Sequence, residues 1–128
     1  MEIQAGRNTP YVNLDKEKYT LTLKGKSYPE HPSEFYEPLW QELLKCSDYM
    51  EGSKITVNLS LEIMNSVTGK YIYKILDQIY SISKKLIVNW YYEIDDEDMK
   101  EDGKVFRDLF PHSDFNIIRC YIPHNLFF

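Results

Sequence analysis

Apolar residues at Ile55, Val57, Leu59 and Leu61 recur every second position, while Thr56, Asn58, Ser60 and Glu62 fall between them. That period predicts a half-buried strand over 55–61. The period then changes. Tyr71, Ile72, Ile75, Leu76, Ile79 and Ile82 follow at spacings of three and four, one stripe of a helix that packs back onto the sheet. Asn65 or Ser66, at the joint, is the natural N-cap, because either side-chain oxygen can accept from N–H groups left unpaired in the first turn. A phosphoryl group attached at such a helix start meets free donors and a favourable dipole, worth roughly 0.3 to 2 kcal/mol. Read by itself, the same joint is first of all a plain cap.

The other elements follow from the same two periods. Residues 11–14 and 19–24 both alternate, and the charged Asp15, Lys16, Glu17 and Lys18 between them read as the loop of an antiparallel hairpin. Residues 1–10 carry no periodicity and are predicted to be a flexible lead-in to a single domain over 11–128. Gly25 closes the second strand, and Pro29 and Pro32 hold 27–32 extended. Ser33 or a neighbour caps a helix bearing Phe35, Tyr36, Leu39, Trp40, Leu43 and Leu44, and Pro38 argues for a later start. Residues 47–53 are a connector. The second helix is predicted to end at Lys84 and Lys85, cations suited to the negative end of a dipole. Residues 86–92 are so densely apolar that they predict an interior strand covered on much of both faces. Asp95 or Asp96 begins a third helix with Met99, Val105, Phe106, Leu109 and Phe110 inward, Gly103 a weak point and Pro111 the stop. Residues 115–121 form the last strand, and the apolar Leu126, Phe127 and Phe128 are expected to dock. The order predicts an α/β chain: an N-terminal hairpin, then largely parallel strands joined by right-handed crossovers, in one mixed sheet.

The length of 128 residues suits one domain with its own core. Charge is lopsided. The run 93–102 holds seven acids and only Lys100, a local −6, which leaves +1 for the other 118 residues. Without a cationic face, neither nucleic acid nor an anionic membrane is the expected partner. No apolar span approaches twenty residues, so the expected location is the cytoplasm, with Cys46 and Cys120 as free thiols.

Catalytic chemistry finds little support. The acidic run lacks the glycine and terminal glutamate of a calcium loop. Gly69 and Lys70 do not make a phosphate loop, since Met64 stands where its first glycine belongs. His31, His112 and His124 are scattered beside prolines, with no nucleophile pattern near them. The acids read instead as a solvated helix start, or as a docking face for a basic partner. No cofactor is expected.

Four stretches together resemble one family: Gly25-Lys26-Ser27-Tyr28-Pro29-Glu30 with Phe35-Tyr36-Glu37-Pro38, then Leu61-Glu62-Ile63-Met64-Asn65-Ser66, then Asn89-Trp90-Tyr91-Tyr92, then Asp95-Asp96-Glu97-Asp98-Met99. The chain resembles the SiaC family of bacterial regulatory phosphoproteins, similar in fold to STAS domains and to SpoIIAA. The resemblance implies a STAS-like single domain with three main helices chiefly on one face. It also implies a partner-switching role without catalysis. A cognate serine/threonine kinase would phosphorylate the hydroxyl after an Asn at the second helix, and a metal-dependent Ser/Thr phosphatase would reverse it. The bare form would bind a target such as a diguanylate cyclase. Carried over residue by residue, the acceptor falls on Ser66, with Thr68 as second choice. The implied partner surface takes in Asn65, Val67, Thr68, Lys70, Tyr71, Ser27, Tyr28, Asp95 and Asp96. The family usually has Thr at the acceptor and small hydroxyl residues after it, where this chain has Ser66, Val67, Thr68 and Gly69. The alternative is a nucleotide- or phosphate-binding STAS relative, or a small enzyme, using the same helix start; a further one is a constitutive scaffold.

Overall fold

Six strands lie in one sheet in chain order, and the sheet's polarity changes after its third strand. The structure, a computed structural model, describes residues 1–120; Tyr121 and the tail at Leu126, Phe127 and Phe128 lie outside the described residues. Strands β1 (Glu2–Ile3), β2 (Tyr11–Asp15) and β3 (Thr20–Ser27) form an antiparallel meander. Helix α1 (Pro32–Met50), β4 (Lys54–Met64), α2 (Ser66–Ile82), β5 (Lys85–Glu93), α3 (Glu97–Leu109) and β6 (Asp114–Cys120) continue it as parallel strands with crossover helices. Three right-handed crossovers taken in one direction set all three helices on the same face.

That arrangement corrects the expectation for β5. It is interior to the sheet, but only Leu86, Val88, Trp90 and Tyr92 are buried, while Ile87, Asn89 and Tyr91 on the other face are half-buried. The helix-free face carries a row of polar side chains set by the register: Asn58 Nδ2 donates to Thr22 Oγ1 (3.4 Å), Asn89 to Asn58 (2.9 Å) and Asn116 to Asn89 (3.2 Å). A slip of one residue would turn these amides into the core, so the row helps hold the strands in register.

Several boundaries also move. The lead-in is not wholly without structure: Glu2 and Ile3 pair with Asn13 and Val12, along the edge that β2 leaves free. Helix α1 starts at Pro32 and tolerates Pro38 inside; its stripe of Tyr36, Leu39, Leu43, Cys46 and Met50 carries it through the expected connector. Leu44 is exposed. Helix α2 stops at Ile82, and Lys85 already belongs to β5.

Gly103 is no weak point. A Cβ there would lie 2.6 Å from Trp90 Cδ1, and Trp90 is itself fixed by its indole N–H, which donates to the Met99 carbonyl (2.9 Å), and by stacking on Phe106. Gly103→Ala is therefore expected to lose stability although alanine favours helix: about 1–3 kcal/mol of overpacking opposes the ~1 kcal/mol gained in propensity. A lower urea midpoint at unchanged slope is the result to look for.

Candidate functional site

Strand β3 does not end at Gly25. That residue has φ +114°, and the pairing slips beside it, from Gly25 with Leu61 to Lys26 with Ile63, leaving Glu62 as the extra residue of a bulge. The bulge inverts the alternation of β4. Ile63 turns out to 46% exposure, and Met64 packs inward on the core.

Asn65 follows, extended at φ −84° and ψ 172°, and caps α2 by accepting the Thr68 N–H on its Oδ1 (2.9 Å). Asn65→Ala should cost about 1 kcal/mol, measurable by urea unfolding. Ser66 is the first helical residue and is exposed; among the described residues its hydroxyl makes no hydrogen bond. Thr68, two residues on, is 0% exposed.

Beneath the helix start lies a chain of three buried hydroxyls from three elements. Thr68 Oγ1 bonds the Ser27 carbonyl (3.1 Å) and Ser27 Oγ (2.8 Å), and Ser27 Oγ bonds the Tyr36 hydroxyl (2.6 Å). One direction satisfies every proton: Tyr36 donates to Ser27, Ser27 to Thr68, and Thr68 to the Ser27 carbonyl. That carbonyl also accepts the Asn65 N–H (3.2 Å). Burial raises the Tyr36 pKa above its ordinary value, despite the opposing bonds to Ser27 and Thr68. The chain pins the start of α2 to the end of β3, so Ser66 is presented on rigid backbone.

Ser27 and Thr68, carried over as contact residues, therefore support the surface from below; a fully buried side chain cannot touch a partner. Val67 (37% exposed), Lys70, Tyr71 and Tyr28 do reach the surface. Asp95 is exposed, while the Asp96 carboxylate is engaged as the α3 cap, accepting the Met99 N–H (3.0 Å). Ser27 ends β3, and Asn65 and Asp95 follow the carboxyl ends of β4 and β5, so topology brings these segments to one edge of the sheet. Nearby, Asp102 has its pKa raised by partial burial and by Asp98 and Asp96. Among the described residues, no group of three or more His, Cys, Asp and Glu is placed to hold a metal ion.

Val67, Lys70, Tyr71 and Lys74 line a groove of about 260 Å³ along α2. Tyr71 stacks on Tyr36 of α1 (4.9 Å, 14°), and the Lys74 ammonium lies 4.4 Å from the centre of the Trp40 ring and 3.8 Å from Glu37. Lys74 and Trp40 were not among the predicted contacts. The spacing 67, 70, 71, 74 was the available signal, a second stripe one step around from the buried one.

The sheet order, the single helical layer and the capped start of α2 define a mixed α/β domain of the architecture seen in SiaC of Pseudomonas aeruginosa. SiaC as solved in complex with the diguanylate cyclase SiaD, which it activates, matches at TM-score 0.77 with 20% identity, over 93% of this chain and 97% of that one. Apo-SiaC matches at 0.75 with 20% identity, over 93% and 96%, and a further SiaC structure at 0.76 with 19% identity, over 94% and 98%. Comparison with curated proteins returns no match. The SiaC family regulatory phosphoprotein model covers residues 3–120, and the chain belongs to that family.

Proposed function

We propose that this protein is a non-enzymatic cytoplasmic switch whose binding surface is the start of α2 and whose control point is the Ser66 hydroxyl. A cognate serine/threonine kinase adds the phosphate, a metal-dependent Ser/Thr phosphatase removes it, and the bare form binds and regulates a signalling target such as a diguanylate cyclase. The observation that carries the reading is the contrast between two hydroxyls two residues apart. Ser66 is exposed and makes no hydrogen bond among the described residues, whereas Thr68 is 0% exposed and engaged. A kinase needs the hydroxyl it modifies to enter its own active site, which supports Ser66 over Thr68 as the acceptor. Membership of a family of regulatory phosphoproteins supports the switching role.

The mapping experiment is direct. After incubation with a cognate serine/threonine kinase and ATP, intact mass should rise by one phosphate, and peptide mapping should place it on Ser66. Ser66→Ala should take up none. Phosphate absent from Ser66 would overturn the assignment.

A further inference from the structure

Two residues beyond the amide row, toward the carboxyl ends of β3 to β6, the helix-free face carries Lys24, Ser60, Tyr91 and Ile118 side by side. Lys24 pairs with Ser60 and Tyr91 with Ile118, and the β4 to β5 pairing, continued one residue past Leu59 and Trp90, sets Tyr91 next to Ser60. The smallest of the four lies inside the row. Ser60 is 0% exposed, whereas Lys24, Tyr91 and Ile118 are half-buried. A small side chain between larger ones makes a trough, and the Lys24 ammonium is turned away from it, over the ring of Tyr11 (5.1 Å). Burial is also the main reason that the Tyr91 pKa is raised, with the Cys120 thiol adding to it. On a face that no helix covers, so deep a floor calls for further chain above it.

Residues 121–128 have the composition and the reach. They include Tyr121, Ile122, Leu126, Phe127 and Phe128, with no acid, lysine or arginine, so burying them strands no fixed charge. They continue from Cys120, at the carboxyl end of β6 and two residues past Ile118. Pro123 has no N–H to donate to a ladder and disfavours helix at Ile122, which suits a turn out of β6. Eight extended residues span about 26 Å, whereas Ile118 to Lys24 is three strand spacings, about 14 Å. The groove of about 510 Å³ that includes Phe110, Pro111 and Phe115 is a poorer fit, because it lies at the amino end of β6, about 17 Å back along the strand. The family match stops at residue 120, so this segment lies outside it. We propose that residues 121–128 fold back across the helix-free face, with Leu126, Phe127 and Phe128 seated over Ser60 between Tyr91 and Lys24, so that the chain closes this face with its own tail.

The test uses the full chain in nuclear magnetic resonance. Nuclear Overhauser contacts should join the Phe127 and Phe128 rings to Ser60, Tyr91 and Ile118. Phe127→Asp/Phe128→Asp should remove those contacts, shift the Tyr91 and Ile118 signals, leave those of Ser66 in place and lower the urea midpoint. Contacts to Phe110 and Phe115 instead, or none to the sheet, would overturn the inference. So would a double variant with unchanged Tyr91 and Ile118 signals. Isotope-filtered spectra of a mixed labelled and unlabelled sample decide between one chain and two: contacts between molecules would give the face to a second copy and sink the proposal. The wild-type contacts are read without any substitution, so a double variant that fails to fold does not blunt the test.

Discussion

Phosphorylation of Ser66 should weaken partner binding more than a hundredfold. A phosphate brings about −1.5 to −2 charges, and placing such an ion unpaired in a protein contact costs several kcal/mol; 3 kcal/mol already exceeds two decades in affinity. The neighbours sharpen the effect. Ile63 and Val67 on either side are exposed and apolar, so a contact that covers Ser66 has little polar surface from which to solvate the new charge. Meanwhile the free N–H groups of the first turn and the helix dipole favour the phosphate in the unbound protein by roughly 0.3 to 2 kcal/mol, which adds to release. Calorimetry of the stoichiometrically phosphorylated protein against the bare form, with the signalling target, measures this directly. Ser66→Ala should keep full affinity in the presence of active kinase, and Ser66→Glu, with less charge than phosphate, should fall between. Equal affinity of the phosphorylated and bare proteins would remove the switch and leave a constitutive scaffold.

The second large effect separates the two hydroxyls by stability. Thr68→Asp is expected to destabilise the fold by about 3–5 kcal/mol at neutral pH, because the carboxylate would enter a fully buried site against Ser27 and Tyr36. Ser66→Asp is expected to leave stability unchanged or raise it by up to ~1 kcal/mol, since an acid at an exposed first helical position complements the dipole. Urea unfolding of both variants reads the difference, and similar midpoints would contradict the buried hydroxyl chain. For a kinase, the same energy means that Thr68 could be modified only after the start of α2 detaches from β3.

Much of the site was legible in the chain. The change of period after Leu61 located the joint between β4 and α2, and short polar residues there supplied a cap. Asp96 as the cap of α3 was equally local. The depth of Thr68 was within reach as well, since it stands four residues before Ile72 on the same buried stripe. It was missed because a hydroxyl on an apolar stripe reads as a polar residue until a partner is known. The outward turn of Ile63 was not legible: it depends on Gly25 taking φ +114° in a strand paired with a segment more than thirty positions away.

What the order of residues determined alone was periodic and local: which segments form the longer strands and the helices, and that the second helix begins at Asn65 or Ser66. Backbone geometry repeats every two or 3.6 residues, so a burial pattern at those spacings is written directly in the chain. Only the tertiary structure decided that β1 closes an edge, that a bulge exposes Ile63, and that Ser27, Tyr36 and Thr68 share one set of protons. Each of these depends on atoms brought together from distant positions, and a hydrogen bond or a steric contact depends on separation in space, whatever the distance along the chain.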